Sequence, residues 1–285
     1  MPPHAASVEL IGLTTCDKYM RGDRAPEEEA MGKRFAGKVA LVTGATTGIG
    51  QATAVRLASE GAVVAVNRRP AGDASETLEK VSAVGGEAFP VAADVRDPAQ
   101  VVEMIHQVAR HGGRLDLVVS NAAINPFVKW DETSVQDFDA LSETNFRGTW
   151  VVCTEAAKQM IKEGHGGAIC CVSSLSAHVG APGQVAYCGT KGAISMLAKA
   201  LGAVLGEHGI RVNAVEPGAI DTRMLAPLVN DPGTLAYYEE RIALHRIGRP
   251  DEMAAVIAFL LSDDASYVTS ATLLADAGFI VNAEK

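Results

Sequence analysis

The sequence predicts an α/β fold, a single doubly wound domain on a parallel sheet of about seven strands with helices on both faces. Two observations predict it. Short apolar runs lack the polar alternation of a half-exposed strand, as strands covered on both faces do. They alternate along the chain with segments of helical spacing, the pattern of repeated β-α-β units. No second composition regime, internal repeat or low-complexity linker interrupts that alternation.

The elements follow in order from Phe35. Residues 39–43 form an apolar strand ended by Gly44, and Ile49 to Ser59 repeats at helical spacing until Gly61. A second strand covers 62–66, a helix 74–84, a third strand 88–92, and a helix starts at Pro98 and runs to about Arg110. Strand 115–120 precedes one long helical stretch over 135–161. Strand 168–172, a long helix over 185–207, strand 210–215, helix 251–261 and strand 272–275 complete the series. Residues 1–34 show no sustained period; they are expected to be an N-terminal extension, flexible or packed on the core, with Met31 a candidate internal start.

Composition bounds the function classes. With 285 residues, 48% hydrophobic and 21% charged, the chain has the makeup of a folded domain rather than a disordered one. A net charge of −9 argues against binding a nucleic-acid backbone, which needs concentrated Lys and Arg. No run approaches the ~20 apolar residues of a membrane span. Five cysteines without C-x-x-C or His/Cys ligand spacing point to reduced thiols, no metal site and a cytoplasmic location. Cys170 and Cys171, adjacent in a strand, should point to opposite faces.

Glycines at 44, 48 and 50 lie between the first strand and the first helix. There they allow a sharp turn and close backbone approach to a diphosphate resting on the helix N-terminus. At the end of the second strand an acidic side chain would bond the ribose hydroxyls of NAD(H), whereas Arg suits a 2′-phosphate. This chain has Arg68 and Arg69, so NADP(H) is favoured and NAD(H) remains possible. Tyr187 and Lys191, four apart on a helix, share a face, and a neighbouring ammonium favours the phenolate over the phenol. Ser174 and Asn121 end strands at the carboxyl edge where α/β ligands bind, and Asn145 sits inside a helical stretch where its propensity is poor.

With these residues assembled, the stretch from about Phe35 to Val281 resembles the short-chain dehydrogenases/reductases, a Rossmann-type family. Thr43 to Gly50 matches T-G-x-x-x-G-I-G, Tyr187 to Lys191 matches Y-x-x-x-K, and Ser174 stands thirteen residues before Tyr187. Asn145 and the Pro217-Gly218 turn also fit. The resemblance implies that Tyr187 is general acid or base, with Lys191 lowering its pKa and bonding the nicotinamide ribose. It implies that Ser174 positions the substrate oxygen and that Asn145 holds a water leading to Lys191. For the coenzyme it implies contacts from Gly44, Thr46, Thr47, Gly48, Ile49 and Gly50, then Asp94 and Val95 at adenine. Asn121 and Ala122 would adjoin the ribose, and Pro217, Gly218, Ile220 and Thr222 the nicotinamide and diphosphate. It also implies a homotetramer or homodimer. Ala123 in place of the usual glycine, Thr47 where some NADP-preferring members are basic, and Asp276-Ala277-Gly278 in place of D-G-G depart from the pattern.

The expected reaction is hydride transfer between NADP(H) and a secondary alcohol or ketone. The substrate is a small molecule, a sugar or a 3-oxoacyl-type ketone. Asn125, Ser176, His178 and Gln184 are the candidate substrate contacts, under a lid at about 220–246. The alternative is a catalytically idle dinucleotide-binding redox sensor or scaffold of the same fold.

Overall fold

Along the chain run β1 (Val39–Val42), α1 (Gly48–Ser59), β2 (Val63–Arg68), α2 (Ser75–Ala83), β3 (Glu87–Ala92), α3 (Pro98–Gly112) and β4 (Leu117–Ser120). The second half contains α4 (Val135–Leu141), α5 (Gly148–Glu163), β5 (Gly167–Val172), α6 (Val185–Leu205), β6 (Ile210–Pro217), α7 (Ala226–Val229), α8 (Pro232–Arg241), α9 (Pro250–Leu261) and β7 (Thr272–Ala275). The computed structural model describes residues 33–282, so the expected extension up to Gly32, with Cys16 and Met31, lies outside the described residues.

The strands pair in parallel in the order β3-β2-β1-β4-β5-β6-β7. The predicted seven-stranded doubly wound sheet is therefore what forms. Alternate residues of the apolar strands enter two separate cores. Leu41, Val118, Cys171 and Val212 pack in the core shared with α3, α5 and α6, and Val42, Val119, Cys170 and Val215 in the core shared with α1 and α9. Cys170 and Cys171 thus fall on opposite faces as their adjacency demands. Strand order reverses between β1 and β4, which opens a crevice outside the carboxyl ends at that point.

Local chemistry sets the element ends. Asp97 caps α3 by accepting from the Ala99 and Gln100 amides, Pro98 starts the helix, and Gly113 closes it in the left-handed region. The buried Asp116 carboxylate accepts the Val39 amide at 2.9 Å, tying the start of β1 to β4.

Two sequence expectations are corrected. The stretch 135–161 is not one α-helix: Ser142–Arg147 widens to a π-helical segment between α4 and α5. Asn145 sits inside it, fully buried, and its side chain bonds the Ile124 backbone. The inserted residue turns this amide toward the β4 loop, a common use of such a bulge. The lid region contains the helices α7 and α8, for which no helix was expected. Among the described residues, no helix is long and apolar enough to cross a membrane.

Candidate active site

The glycine turn is shaped from beneath by three polar side chains. Thr43, fully buried, accepts the Asn121 and Ala122 amides at its Oγ1 (3.0 and 3.1 Å). Asn121 Nδ2 donates to the oxygens of Thr43 and Gly44 at 2.9 and 3.1 Å. Asn67 Oδ1 accepts the Gly44 amide at 3.2 Å. Gly44 and Gly48 hold φ of 61° and 59°, the left-handed region in which a side chain is strained. A Cβ on Gly50 would lie 2.4 Å from the Gly44 oxygen, closer than atoms pack.

This cradle fits a dinucleotide diphosphate. Thr47 at the head of α1 makes no capping hydrogen bond, and the first turn carries no acidic residue, so the positive helix end is left for an anion. Thr46 and Ile49 lie in this turn, and Thr222 closes over it, its Cγ2 3.2 Å from where a Gly48 Cβ would stand.

The expected contacts around the turn divide. Asn121 is placed at the crevice, but its amide is spent on the turn; it shapes the cradle. Arg68 donates to its own loop, most closely to the Pro70 oxygen at 2.7 Å. Its guanidinium is therefore not the open phosphate ligand expected at the end of β2. Arg69 makes no side-chain hydrogen bond or ion pair among the described residues. Asp94 is held by Arg96, which pulls its carboxyl below the usual carboxylate range, and Arg69 adds to that effect. Val95 is buried beside it, against the close-packed Gly148.

The reacting groups meet at the carboxyl edge of β5. Tyr187 lies in the first turn of α6 and Lys191 one turn later, 8% and 2% exposed. Lys191 Nζ donates to the Val172 oxygen at 2.8 Å and stands 5.5 Å from the Tyr187 ring centre. Ser174 Oγ accepts the Ser176 amide at 3.1 Å, capping a short 3-10 turn over Leu175–Ala177. Asn145 Nδ2 reaches Thr190 Oγ1 at 3.2 Å, so the π segment is bonded to α6 between Tyr187 and Lys191.

Electrostatics correct one expectation. Burial pushes the Tyr187 hydroxyl up to about 12, opposed by the neighbouring Ser174 hydroxyl. The Lys191 ammonium is directed to the Val172 carbonyl, and burial pulls it down to about 8. Desolvation thus sets the direction for both groups. Cys188, beside Tyr187, approaches the Val179 oxygen at 3.7 Å.

At the substrate side Asn125 Nδ2 donates to Gln184 Oε1 at 2.9 Å, and both amides line a cleft with Val128, Thr133, Leu141 and Tyr187. Ser176 is buried and joins through its backbone. His178, half-exposed, contacts Glu216 Oε2 at 2.6 Å through Nε2. Pro217 ends β6, Ile220 is buried, and a Cβ on Gly218 would lie 2.7 Å from Asp276 Cα.

Sequence reasoning placed Thr43 only in the turn motif and assigned no role to Asn67, Ser173, Ser195 and Glu216. The available signal was a polar residue inside an apolar strand, or, for Ser195, its place four residues past Lys191. Among the described residues no group of three or more His, Cys, Asp or Glu side chains is arranged to hold a metal ion.

Comparison with known proteins places this geometry. Residues 44–280 match a family model described as enoyl-(acyl carrier protein) reductase. The chain is 40% identical over 251 residues to L-rhamnose 1-dehydrogenase (NAD(P)(+)) of Sphingomonas sp. (strain SKA58), covering 88% of this chain and 99% of that one. It resembles the crystal structure of a short-chain type dehydrogenase/reductase from Mycobacterium marinum, with a TM-score of 0.83 and 35% identity over 87% of this chain and 97% of the other. It also resembles a gluconate 5-dehydrogenase from Burkholderia cenocepacia J2315 in complex with NADP and tartrate. There the TM-score is 0.83 and identity 31%, over 88% of this chain and 98% of that one.

Proposed function

Because the chain belongs to the short-chain dehydrogenase/reductase family, we propose that it is an NADP(H)-linked dehydrogenase that oxidises the anomeric carbinol of a sugar to a lactone. The observation that carries this reading is the buried Tyr187–Lys191 pair beside Ser174, sharing an edge with an amide-lined cleft.

The sugar is favoured over an acyl ketone by Asn125 and Gln184. Their mutual hydrogen bond leaves the Gln184 amide hydrogens for substrate hydroxyls. The relatives with sugar names support the same choice.

Each proposed role follows from an atom. Ser174 Oγ already accepts a backbone amide, so its own hydrogen is left for the substrate oxygen. Tyr187, kept neutral by burial, gives its proton to a carbonyl oxygen in reduction; in oxidation that proton must first leave, and the phenolate then takes one from the alcohol. Lys191 supplies positive charge beside the phenol and groups for the coenzyme ribose. Asn145 fixes the π segment against α6. A bound nicotinamide supplies the hydride acceptor or donor. Gly44 to Gly50 would hold the diphosphate; Asp94, Val95 and Ala122 the adenosine end; and Pro217 to Thr222 the nicotinamide end.

The test is a coenzyme-linked assay on aldoses, L-rhamnose among them, and on 3-oxoacyl thioesters. NADP+-linked turnover of an aldose is expected, with Tyr187→Phe about 1000-fold slower while still binding coenzyme. Undiminished turnover in Tyr187→Phe would sink the mechanism. Turnover confined to thioesters would move the substrate to the acyl class.

A further inference from the structure

Val212 and Ala214 of β6 face the core shared with α6, so strand alternation turns Glu216 the same way, where it is 1% exposed. A buried carboxyl is costly unless its oxygens are bonded, and here each oxygen has a partner. Ser195 Oγ donates to Glu216 Oε1 at 2.6 Å, and His178 Nε2 lies 2.6 Å from Glu216 Oε2. Among the described residues no hydrogen bond joins Ser195 to His178 directly. Glu216 therefore bridges α6 and the loop that precedes it.

The two bridged segments carry reacting groups. Ser195 stands one turn past Lys191 on α6, and its Oγ lies 2.8 Å from Ser173 Oγ. Ser173 Oγ donates to the main-chain oxygen of Lys191 at 2.8 Å, and the Ser173 amide donates to the Val215 oxygen at 2.8 Å. The helix side of Glu216 is thus fixed both to Lys191 and to the end of β5. His178 belongs to the loop that opens with Ser174. That loop folds on itself, the Ser176 amide donating to Ser174 Oγ at 3.1 Å and the His178 amide to the Leu175 oxygen at 2.9 Å. Among the described residues, Glu216 is the hydrogen-bonding partner that holds the His178 ring.

We propose that Glu216 is a positioning residue that holds the His178 ring as a contact for a sugar hydroxyl, braced on α6 through Ser195. The proposal rests on the reading of the Asn125–Gln184 cleft as a sugar site. Glu216 occupies Nε2, so Nδ1 is the ring atom left for a ligand, and the ring is half-exposed at the edge where Ser174 stands. A hydroxyl both donates and accepts and so pairs with an imidazole nitrogen, whereas the methylenes of an acyl chain do neither. Ser174 and His178, four residues apart on one short loop, then address two oxygens of one substrate. A ring left unheld would turn between rotamers, and ordering it on binding would weaken the substrate.

The experiment is a double-mutant cycle on the full-length chain between His178→Ala and Ser195→Ala, whose side chains are linked through Glu216. With NADP+ and the aldose turned over fastest, His178→Ala should raise the sugar KM about tenfold and Ser195→Ala about threefold. Ser195→Ala should also lower kcat, through Ser173 and Lys191. In the double variant the KM effects should not multiply, because the brace has nothing left to hold, whereas the kcat loss should persist. KM effects that multiplied would overturn the proposal, since a merely structural role for Ser195 acts in either background. Glu216→Ala should match His178→Ala in sugar KM, and Glu216→Gln, equal in length and with two polar ends, should restore most of it. A Gln variant as weak as Ala, or an unchanged sugar KM in His178→Ala, would be equally fatal. If Glu216→Ala does not fold, the cycle stands without it, because both of its variants keep Glu216.

Hydrogen exchange at the Ser176 and His178 amides needs no turnover. It should quicken about tenfold in Glu216→Ala and by less in Ser195→Ala. Exchange at the wild-type rate in both would mean that Glu216 does not hold the loop. If the wild type oxidises no aldose, the sugar reading fails and the hydroxyl contact with it, while exchange still decides whether the loop is braced.

Discussion

The glycine turn and the head of α6 lie at the same sheet edge and are built in opposite ways. Around the turn, polar side chains serve the backbone: Thr43, Asn67 and Asn121 all bond main-chain atoms of the turn or its neighbour loop. At α6 the backbone serves the side chains, with the Val172 carbonyl holding the Lys191 ammonium. The first region fixes a shape and leaves amide groups and a helix end open. The second removes two ionisable groups from water, so that their proton affinities depart from ordinary values. Substitutions in the turn should therefore act through geometry and be insensitive to pH, and substitutions at α6 should act through charge.

The larger of the expected effects is geometric. In Gly50→Ala the new methyl would stand 2.4 Å from the Gly44 oxygen, about 1 Å inside ordinary contact, and the obstacle is backbone that cannot rotate aside. A displacement of that size is worth about 100-fold in a positioned site. Coenzyme affinity should fall by about that factor at every pH, measured by titrating coenzyme against Gly50→Ala and wild type. A loss that varied with pH would break the division between the two regions.

At α6 the corresponding test is a stability curve. Lys191 has a folded-state value of about 8, below its ordinary 10.5, because burial penalises the ammonium. A depressed value means that folding expels the proton, so this contribution is complete above about pH 10.5 and is lost as pH falls through about 8. Relative to Lys191→Met, the wild type should gain about 2 kcal/mol of stability between about pH 8 and about pH 10, measured by denaturant unfolding. Tyr187, raised to about 12, acts in the opposite sense only above about pH 10 and so leaves this window clear. Parallel curves would mean that Lys191 is not desolvated.

The same contrast explains how much was legible in the sequence. The sheet was readable because strands buried on both faces cannot hide their apolar runs, and the turn because few residues besides glycine adopt φ near +60° or yield the space at Gly50. Of the four residues Asn145, Ser174, Tyr187 and Lys191, spacing marked the last two and the family resemblance completed the set, and the fold brings them to one edge. What spacing could not carry is where a polar side chain turns once its loop has closed. Asn121 turns under the cradle, and Arg68 bonds carbonyls of residues that follow it, a choice set by the path of the loop. Asn145 looked out of place in a helix, yet the extra residue of a π segment leaves no mark in a hydrophobic period. Glu216 shows the same limit, since its partners come from α6 and the loop that precedes it.

The smallest effect sharpens the comparison within a single pair of residues. Arg68 and Arg69 look alike in sequence, but Arg68 serves backbone while Arg69 keeps its donors, near enough to Asp94 to lower that carboxyl. A 2′-phosphate gains charge-assisted bonds only from a guanidinium that is free to turn. Arg69→Ala should raise the KM for NADP+ about tenfold, the worth of one such bond at a half-open site, with little change for NAD+. Arg68→Ala should loosen the loop from Arg69 to Gly72 and weaken both coenzymes alike, within about threefold. Steady-state kinetics with both coenzymes on the two single variants separates these outcomes. If Arg68→Ala alone proved selective for NADP+, the hydrogen bonds to its own loop would have to be given up when coenzyme binds, and the turn region would owe its specificity to a movable charge rather than to a fixed shape.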